Sequence, residues 1–182
     1  MRNTYGEIQY LFFSKLYPFE QTMYHDAVYS FLWQLSFEYV GFRNWYDRLF
    51  ADTHRLQSGR EIVICTTADQ IVGVSILKKD EEESKICTLR VAKQAQHNGI
   101  GKQLILKSID WLQTDKPFIT VRSYKEFQFE KLFQYFGFKK EDAYPGYYGL
   151  LGTEITYNGI LPKPEGILSR FVLADMRSFL AH

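Results

Sequence analysis

Leu89-Arg90-Val91-Ala92-Lys93-Gln94-Ala95-Gln96-His97-Asn98-Gly99-Ile100-Gly101-Lys102 is the stretch on which the fold turns. An apolar, β-branched run ends at Val91, a polar loop follows, and two glycines one residue apart open an amphipathic segment. The first N–H groups of a helix have no partner inside it. The helix dipole adds partial positive charge there, worth ~0.3–1 kcal/mol to an anion at an exposed site. Glycines let a backbone come close to a phosphate. Lys93 and Lys102 add positive charge nearby, and His97 is a third candidate.

Upstream, residues 61–67, 71–77 and 85–91 are short apolar runs joined by short polar links, the pattern of an antiparallel meander. The acidic run 80–83 reads as a solvated hairpin loop. Downstream, residues 100–113 read as a helix with Leu104, Ser108 and Leu112 on one face and Ile105 and Ile109 beside them. A strand over 117–121 and a helix over 126–136 follow, the helix carrying a stripe of Phe129, Leu132, Phe133 and Phe136. Gly137 is placed to end that helix in a left-handed cap. Residues 138–140 and 147–157 read as two closing strands.

At the other end, residues 8–13 read as a first strand and Pro18 as a break. Residues 20–37 read as a helix with Met23, Ala27, Phe31, Gln34 and Leu35 on one face. A second helix is expected over 43–50, with Asn44 as its N-cap. The whole is a mixed α/β pattern around one sheet, residues 1–158 forming the domain. Residues 159–182 form a linker, with Pro162 and Pro164, and a C-terminal helix over 167–180. Two arrangements stay open for that tail: packing on its own domain, or exchange between the subunits of a homodimer.

A chain of 182 residues buries enough surface to fold without staples. Its net charge of +1 argues against a mainly electrostatic nucleic-acid partner. No apolar run approaches the length of a membrane span and no signal-peptide core stands at the N-terminus, so a cytoplasmic location is the default expectation. Cys65 and Cys87 fall on strands two apart in the expected sheet, about 9–10 Å from each other, which is too far for a disulfide. With two Cys and no paired His there is no zinc spacing, and no metal is expected.

Three kinds of phosphate loop compete for the central stretch. A P-loop requires Gly where Gln96 stands and Ser or Thr where Gln103 stands. A dinucleotide fingerprint requires a small residue at Leu104 and a parallel βαβ setting. The third is a loop for the pyrophosphate of coenzyme A. Gln96-His97-Asn98-Gly99-Ile100-Gly101 resembles the Gln/Arg-x-x-Gly-x-Gly/Ala signature of the GNAT superfamily of N-acetyltransferases. Val91 stands at the usual offset before it, and Gly137-Phe138 resembles the Gly-Phe pair after the last family helix. The similarity covers roughly residues 59–157, with a weaker match of the N-terminal helices.

The resemblance implies the acyl-CoA N-acyltransferase fold, a central and largely antiparallel twisted sheet flanked by helices. It implies acetyl-CoA as cosubstrate and direct transfer of its acetyl group to a primary amine of a small molecule or protein. The backbone of Gln96, His97, Asn98, Gly99, Ile100, Gly101 and Lys102 would hold the pyrophosphate. The backbone of Leu89, Arg90 and Val91 would pair with the pantetheine arm as an added strand. The family usually has a bulge in this strand, and apolar residues at 86, 89 and 91 break strict alternation as a bulge would.

The acceptor amine must be neutral to attack, and a lysine-like amine is neutral in only about 0.04% of molecules at pH 7. A general base is therefore expected, and an N–H near Leu89 or Arg90 is the candidate donor to the developing oxyanion. Many family members have a Tyr four residues before the Gly-Phe pair to protonate the thiolate; here that position is Phe133. Tyr135 is turned about 200° from it along the helix. Glu126, Tyr147 and Tyr148 are the remaining candidates, each with an ordinary structural alternative. Cys87 has no recognisable His/Asp partner and reads as structural, and so do His25 and Asp26. Most of the aromatic residues between 24 and 46 are expected in the core, with one or two touching substrate. Phe133 also motivates a second reading: a catalytically degenerate member that binds coenzyme A as a sensor or interaction module. Replacing Gly99 or Gly101 by Glu is expected to abolish cofactor affinity while sparing the fold, as measured by calorimetry on the folded variants.

Overall fold

The computed structural model describes residues 7–52, 54–148 and 152–162. The tail helix expected at 167–180 lies outside them. The meander is where the sequence placed it: β4 (Arg60–Thr67), β5 (Gln70–Lys79) and β6 (Ser84–Val91) pair antiparallel in succession. β4 and β5 read as nearly continuous apolar runs because both their faces are covered, whereas β6 keeps Lys85, Thr88 and Arg90 among its apolar residues. The first strand, β1 (Ile8–Phe12), adds to the outer side of β4. On the other side come β7 (Phe118–Arg122), β8 (Lys140–Pro145) and β9 (Thr153–Tyr157). The order across the sheet is β1-β4-β5-β6-β7-β9-β8, so the last strand inserts beside β7 and leaves β8 at the edge. A separate two-stranded ribbon, β2 (Phe50–Asp52) with β3 (Arg55–Leu56), was not foreseen.

One face of the sheet is covered by α3 (Ile100–Leu112) and α4 (Glu126–Phe136). Leu104, Ile105, Ser108 and Leu112 of α3 are buried, and Phe133 of α4 packs with Phe129, Leu132 and Phe136 behind it. Ser108 Oγ reaches Ser75 Oγ of β5 at 3.0 Å and donates to the Leu104 carbonyl, so the buried hydroxyl pair is satisfied. Gly137, at φ 61, caps α4 as expected.

The other face is covered by α1 (Pro18–Leu32) and α2 (Phe42–Asp47). Three expectations needed correction here. Pro18 does not break the helix but opens it, where its missing N–H costs nothing. The Glu20 carboxylate accepts the Tyr17 N–H at 2.9 Å. Second, the buried face of α1 runs through Val28 and Leu32, whereas Met23 and Ala27 are exposed. Apolar and aromatic residues occur all round this helix, so periodicity selected the wrong face. The helix also tightens into a 3₁₀ turn at Trp33–Phe37. Third, Gly41 rather than Asn44 precedes α2, and the helix ends at Asp47 because Phe50 enters β2.

The free thiols Cys65 and Cys87 stand on β4 and β6 with β5 between them, as expected. The last described residues still belong to the domain: Leu161 is buried, and a Cβ on Gly159 would lie 3.0 Å from the Phe118 ring.

Gly73 of β5 sets the distance between sheet and α3. A Cβ there would lie 3.0 Å from both Ile100 Cγ2 and Leu104 Cδ1 and 3.3 Å from Cys65 Cβ. Gly73→Ala is therefore expected to cost about 1–3 kcal/mol by overpacking, read as a lowered thermal midpoint.

Candidate functional site

Strands β6 and β7 are neighbours and run parallel, but they pair only through Lys85 with Phe118 and Ile86 with Ile119. Beyond Ile86 the two strands diverge, so the β7-facing backbone edge of Cys87–Val91 has no strand partner. A cleft of about 1770 Å³ fills the gap. That exceeds the ~300–1,000 Å³ of an ordinary ligand pocket and leaves room for two substrates.

The expected bulge is present, at Cys87. Ile76 pairs with Thr88 and Leu77 with Ile86, which leaves Cys87 as the extra residue. The bulge turns Ile86, Leu89 and Val91 together toward α3 and α4. Lys85, Thr88 and Arg90 lie opposite, toward α1 and α2, in register with Lys78, Ile76 and Val74. On β7, Thr120 and Arg122 face that same side, alternating with Ile119 and Val121.

At one mouth of the cleft stands the N-terminus of α3. Gln103 donates the first helical hydrogen bond to the Gly99 carbonyl. The amides of Ile100, Gly101 and Lys102 before it find no backbone acceptor among the described residues. Gly99 has φ 78, a conformation that favours glycine. Gln96 is exposed, and its Nε2 donates to the Val91 carbonyl at 3.3 Å and ties the loop to the strand end. Asn98 Nδ2 donates to the carbonyls of Ala95 and Gln96. Ile100 is buried, so only its amide is available. Lys93, His97 and Lys102 line the cleft. Lys102 Nζ lies 4.0 Å from the Tyr135 ring centroid, so Tyr135, though turned away from Phe133, is also at this mouth.

The geometry separates the catalytic candidates. Phe133 is sealed in the core, edge-on to Tyr157 at 4.6 Å between ring centroids. Glu126 does not face the cleft. Its Oε1 accepts from Tyr157 Oη at 2.6 Å and pairs with Lys140 Nζ at 2.7 Å, beside β8 and β9. Burial resists ionisation of this carboxyl, but the bonds from Lys140 and Tyr157 outweigh it and hold the group below its ordinary value. Such a carboxyl is a poor proton donor.

Tyr147 and Tyr148 are not on a strand: β9 begins only at Thr153, and both lie in the loop after β8. Tyr148 lines the cleft, while Tyr147 packs edge-on behind it at 4.7 Å. Burial pushes the Tyr148 hydroxyl well above its usual range. Burial likewise raises the Cys87 thiol, which agrees with its structural reading.

Several cleft residues escaped the sequence reading. Arg122 and Glu154 form a buried pair, Nε to Oε1 2.8 Å, a close contact of charges rather than a directed hydrogen bond. Burial pushes the Glu154 carboxyl up, and Arg122 opposes it. Arg122 also donates to the Glu38 carbonyl at 2.7 Å and lies over the Tyr39 ring. The Glu38 carboxylate accepts from Tyr124 Oη at 2.8 Å and from Lys125 Nζ at 2.7 Å. This network clamps the turn after α1 onto the end of β7. No local pattern marks it, because Glu38 lies more than eighty positions from the residues of β7 and the following turn that bind it. Five aromatic residues from the N-terminal segment, Phe31, Trp33, Tyr39, Phe42 and Trp45, line the cleft, and Phe42 is at the same time buried in the core.

A mixed sheet split between parallel strands, with an open helix N-terminus at the mouth of the split, defines the acyl-CoA N-acyltransferase class of fold. Residues 35–148, more than half of the chain, match the acetyltransferase (GNAT) domain family, and the chain belongs to that family of acyltransferase enzymes. An acetyltransferase of Bacillus subtilis solved in complex with CoA has 17% identity and a TM-score of 0.57, over 85% of this chain and 100% of its own. The ribosomal-protein-S18-alanine N-acetyltransferase of Escherichia coli has 14% identity and a TM-score of 0.57, over 87% and 100%. A GNAT acetyltransferase of Elizabethkingia anophelis with acetyl-CoA bound has 16% identity and a TM-score of 0.54, over 82% and 95%. At these identities the likeness carries the fold. No curated protein matches the chain in sequence.

Glu126→Gln tests the correction at that residue. A carboxyl held below its ordinary value of 4.5 contributes stability that is present above that pH and lost on acidification. The variant is expected to lose that acid-side slope and about 1 kcal/mol at neutral pH. Its turnover is expected to stay within about twofold of wild type, since the carboxylate is held by Lys140 and Tyr157 away from the cleft and makes no interaction special to the reacting state.

Proposed function

We propose that the chain transfers the acetyl group of acetyl-CoA to a primary amine by direct attack. The carrying observation is the unpaired edge of β6 that leads to the unpaired amides at the start of α3. The edge offers main-chain hydrogen bonds to an extended, amide-containing arm, and the amides offer a cradle for a diphosphate. Bound CoA and acetyl-CoA in structures of the same fold support this reading. Acetyl-CoA supplies the activated acyl group. The backbone of Leu89, Arg90 and Val91 orients its arm, Gln96 and Asn98 fix the loop, and Lys93 and Lys102 supply positive charge. Glu126 has no part in this chemistry, and Tyr148 with Lys85 stands at the acceptor end. Phe133 leaves solvent water or Tyr148 to return the proton.

The buried Phe133 also favours a second reading, a CoA-binding module without turnover. Calorimetry with acetyl-CoA and a thiol-release assay with a panel of amines separate the two. Binding with amine-dependent thiol release is the expected result; binding with no release for any amine supports the module; no binding sinks both. Gly101→Glu is the cleaner of the two glycine tests. A Cβ there meets Leu132 and Val91 only at 3.5 and 3.8 Å, whereas Gly99→Glu would also strain a positive φ. It is expected to weaken acetyl-CoA binding by at least about tenfold through charge repulsion and steric filling.

A further inference from the structure

We propose that the acceptor is a small amine that carries a carboxylate, and that Lys85 binds that carboxylate. The inference rests on the acetyl-transfer reading above and names its substrate class. Lys85 lines the cleft where β6 and β7 begin to diverge, on the face toward α1 and α2. Its ammonium is held between two rings, 4.7 Å from the Phe118 centroid and 5.8 Å from that of Tyr148. It donates to Tyr148 Oη at 3.2 Å. An ammonium has three N–H donors, so two remain for a ligand.

The carboxylates around Lys85 pair with other cations, and Glu154, which feels the Lys85 charge, stays beyond ion-pair distance of it. The cross-strand neighbour Lys78 holds both Asp80 and Glu83 at 2.7 Å. Lys125 holds Glu38, and Arg122 holds Glu154. Among the described residues Lys85 has no carboxylate at ion-pair distance. The same is true of Arg48 and Arg90, which line the same half of the cleft. Arg90 spends its guanidinium on the neutral amide of Gln34 and the Phe31 ring. This half of the cleft therefore carries an excess of positive charge.

Cofactor phosphates do not account for Lys85. They belong at the start of α3, and Lys85 lies six strand residues before Val91, about 20 Å along β6. An excess of positive charge raises the energy of an ammonium ion and lowers its pKa. It therefore favours the neutral amine that must attack, and it rejects polycationic acceptors. An acceptor with its own carboxylate both satisfies Lys85 and tolerates that field.

The aromatic lining makes L-phenylalanine and its decarboxylated counterpart, 2-phenylethylamine, the matched probes. Thiol release from acetyl-CoA would be measured with each, corrected for the fraction of free amine. The wild-type protein is expected to favour L-phenylalanine in kcat/KM by about tenfold or more, the scale of a charge-assisted hydrogen bond. Lys85→Gln is expected to collapse that ratio and Lys85→Arg to keep most of it; because a ratio is read, partial loss of folded protein does not imitate the effect. Equal rates with the two amines, or a ratio unchanged in Lys85→Gln, would overturn the proposal. If neither amine turns over, the acetyl-transfer reading fails for this class of acceptor. The carboxylate site is then judged by binding of N-acetyl-L-phenylalanine against N-acetyl-2-phenylethylamine to the CoA-loaded protein. Preference for the former supports the site, and equal or absent binding overturns it.

Discussion

Two parallel strands that pair for only two residues are the constraint on which the rest of this molecule depends. A strand normally satisfies its backbone on both sides, and an unmade pair of edges inside a sheet costs hydrogen bonds that must be recovered from water or a ligand. Here the split is held open from both faces. On one, α3 packs tightly against β5 and presents its N-terminus at the mouth. On the other, the Arg122–Glu154–Glu38 network fastens the turn after α1 to the end of β7. The result is a cleft whose walls belong to different layers of the fold, and whose floor is a row of main-chain donors and acceptors.

The two halves of the cleft use different chemistry. The half toward α3 is built of backbone: amides with no backbone acceptor among the described residues, a left-handed glycine, and side chains of Gln96 and Asn98 bonded back to main-chain carbonyls. The half toward α1 relies on side chains, with five rings and a set of cations drawn from β6, β7 and α2. Side chains can change without disturbing the strands that carry them, so this is the half in which members of one fold can differ.

The sequence was most legible where local rules and tertiary packing agree. The meander, the α3 face through Leu104, Ser108 and Leu112, the α4 stripe and the Gly137 cap all follow from period and capping. The bulge at Cys87 was visible as a break in alternation. The face of α1 was not legible, because apolar residues surround the helix and contrast between faces is what periodicity measures. Glu126 was misplaced for a related reason: proximity to a helix start says nothing about which side a carboxylate takes, and Lys140 and Tyr157 decide that from distant strands. The half of the cleft toward α1 was the least legible, since Glu38, Arg122 and Glu154 come together only when the turn after α1 and strand β9 both reach β7.

The missing side chain at position 73 has a wider meaning. With no space between β5 and α3, the helix cannot settle against the sheet without also fixing where its first amides point. Hydrophobic packing and the aim of the open helix N-terminus are thus one mechanical unit. A change of volume in the core behind the helix is therefore felt at the mouth of the cleft as well as in the stability of the domain.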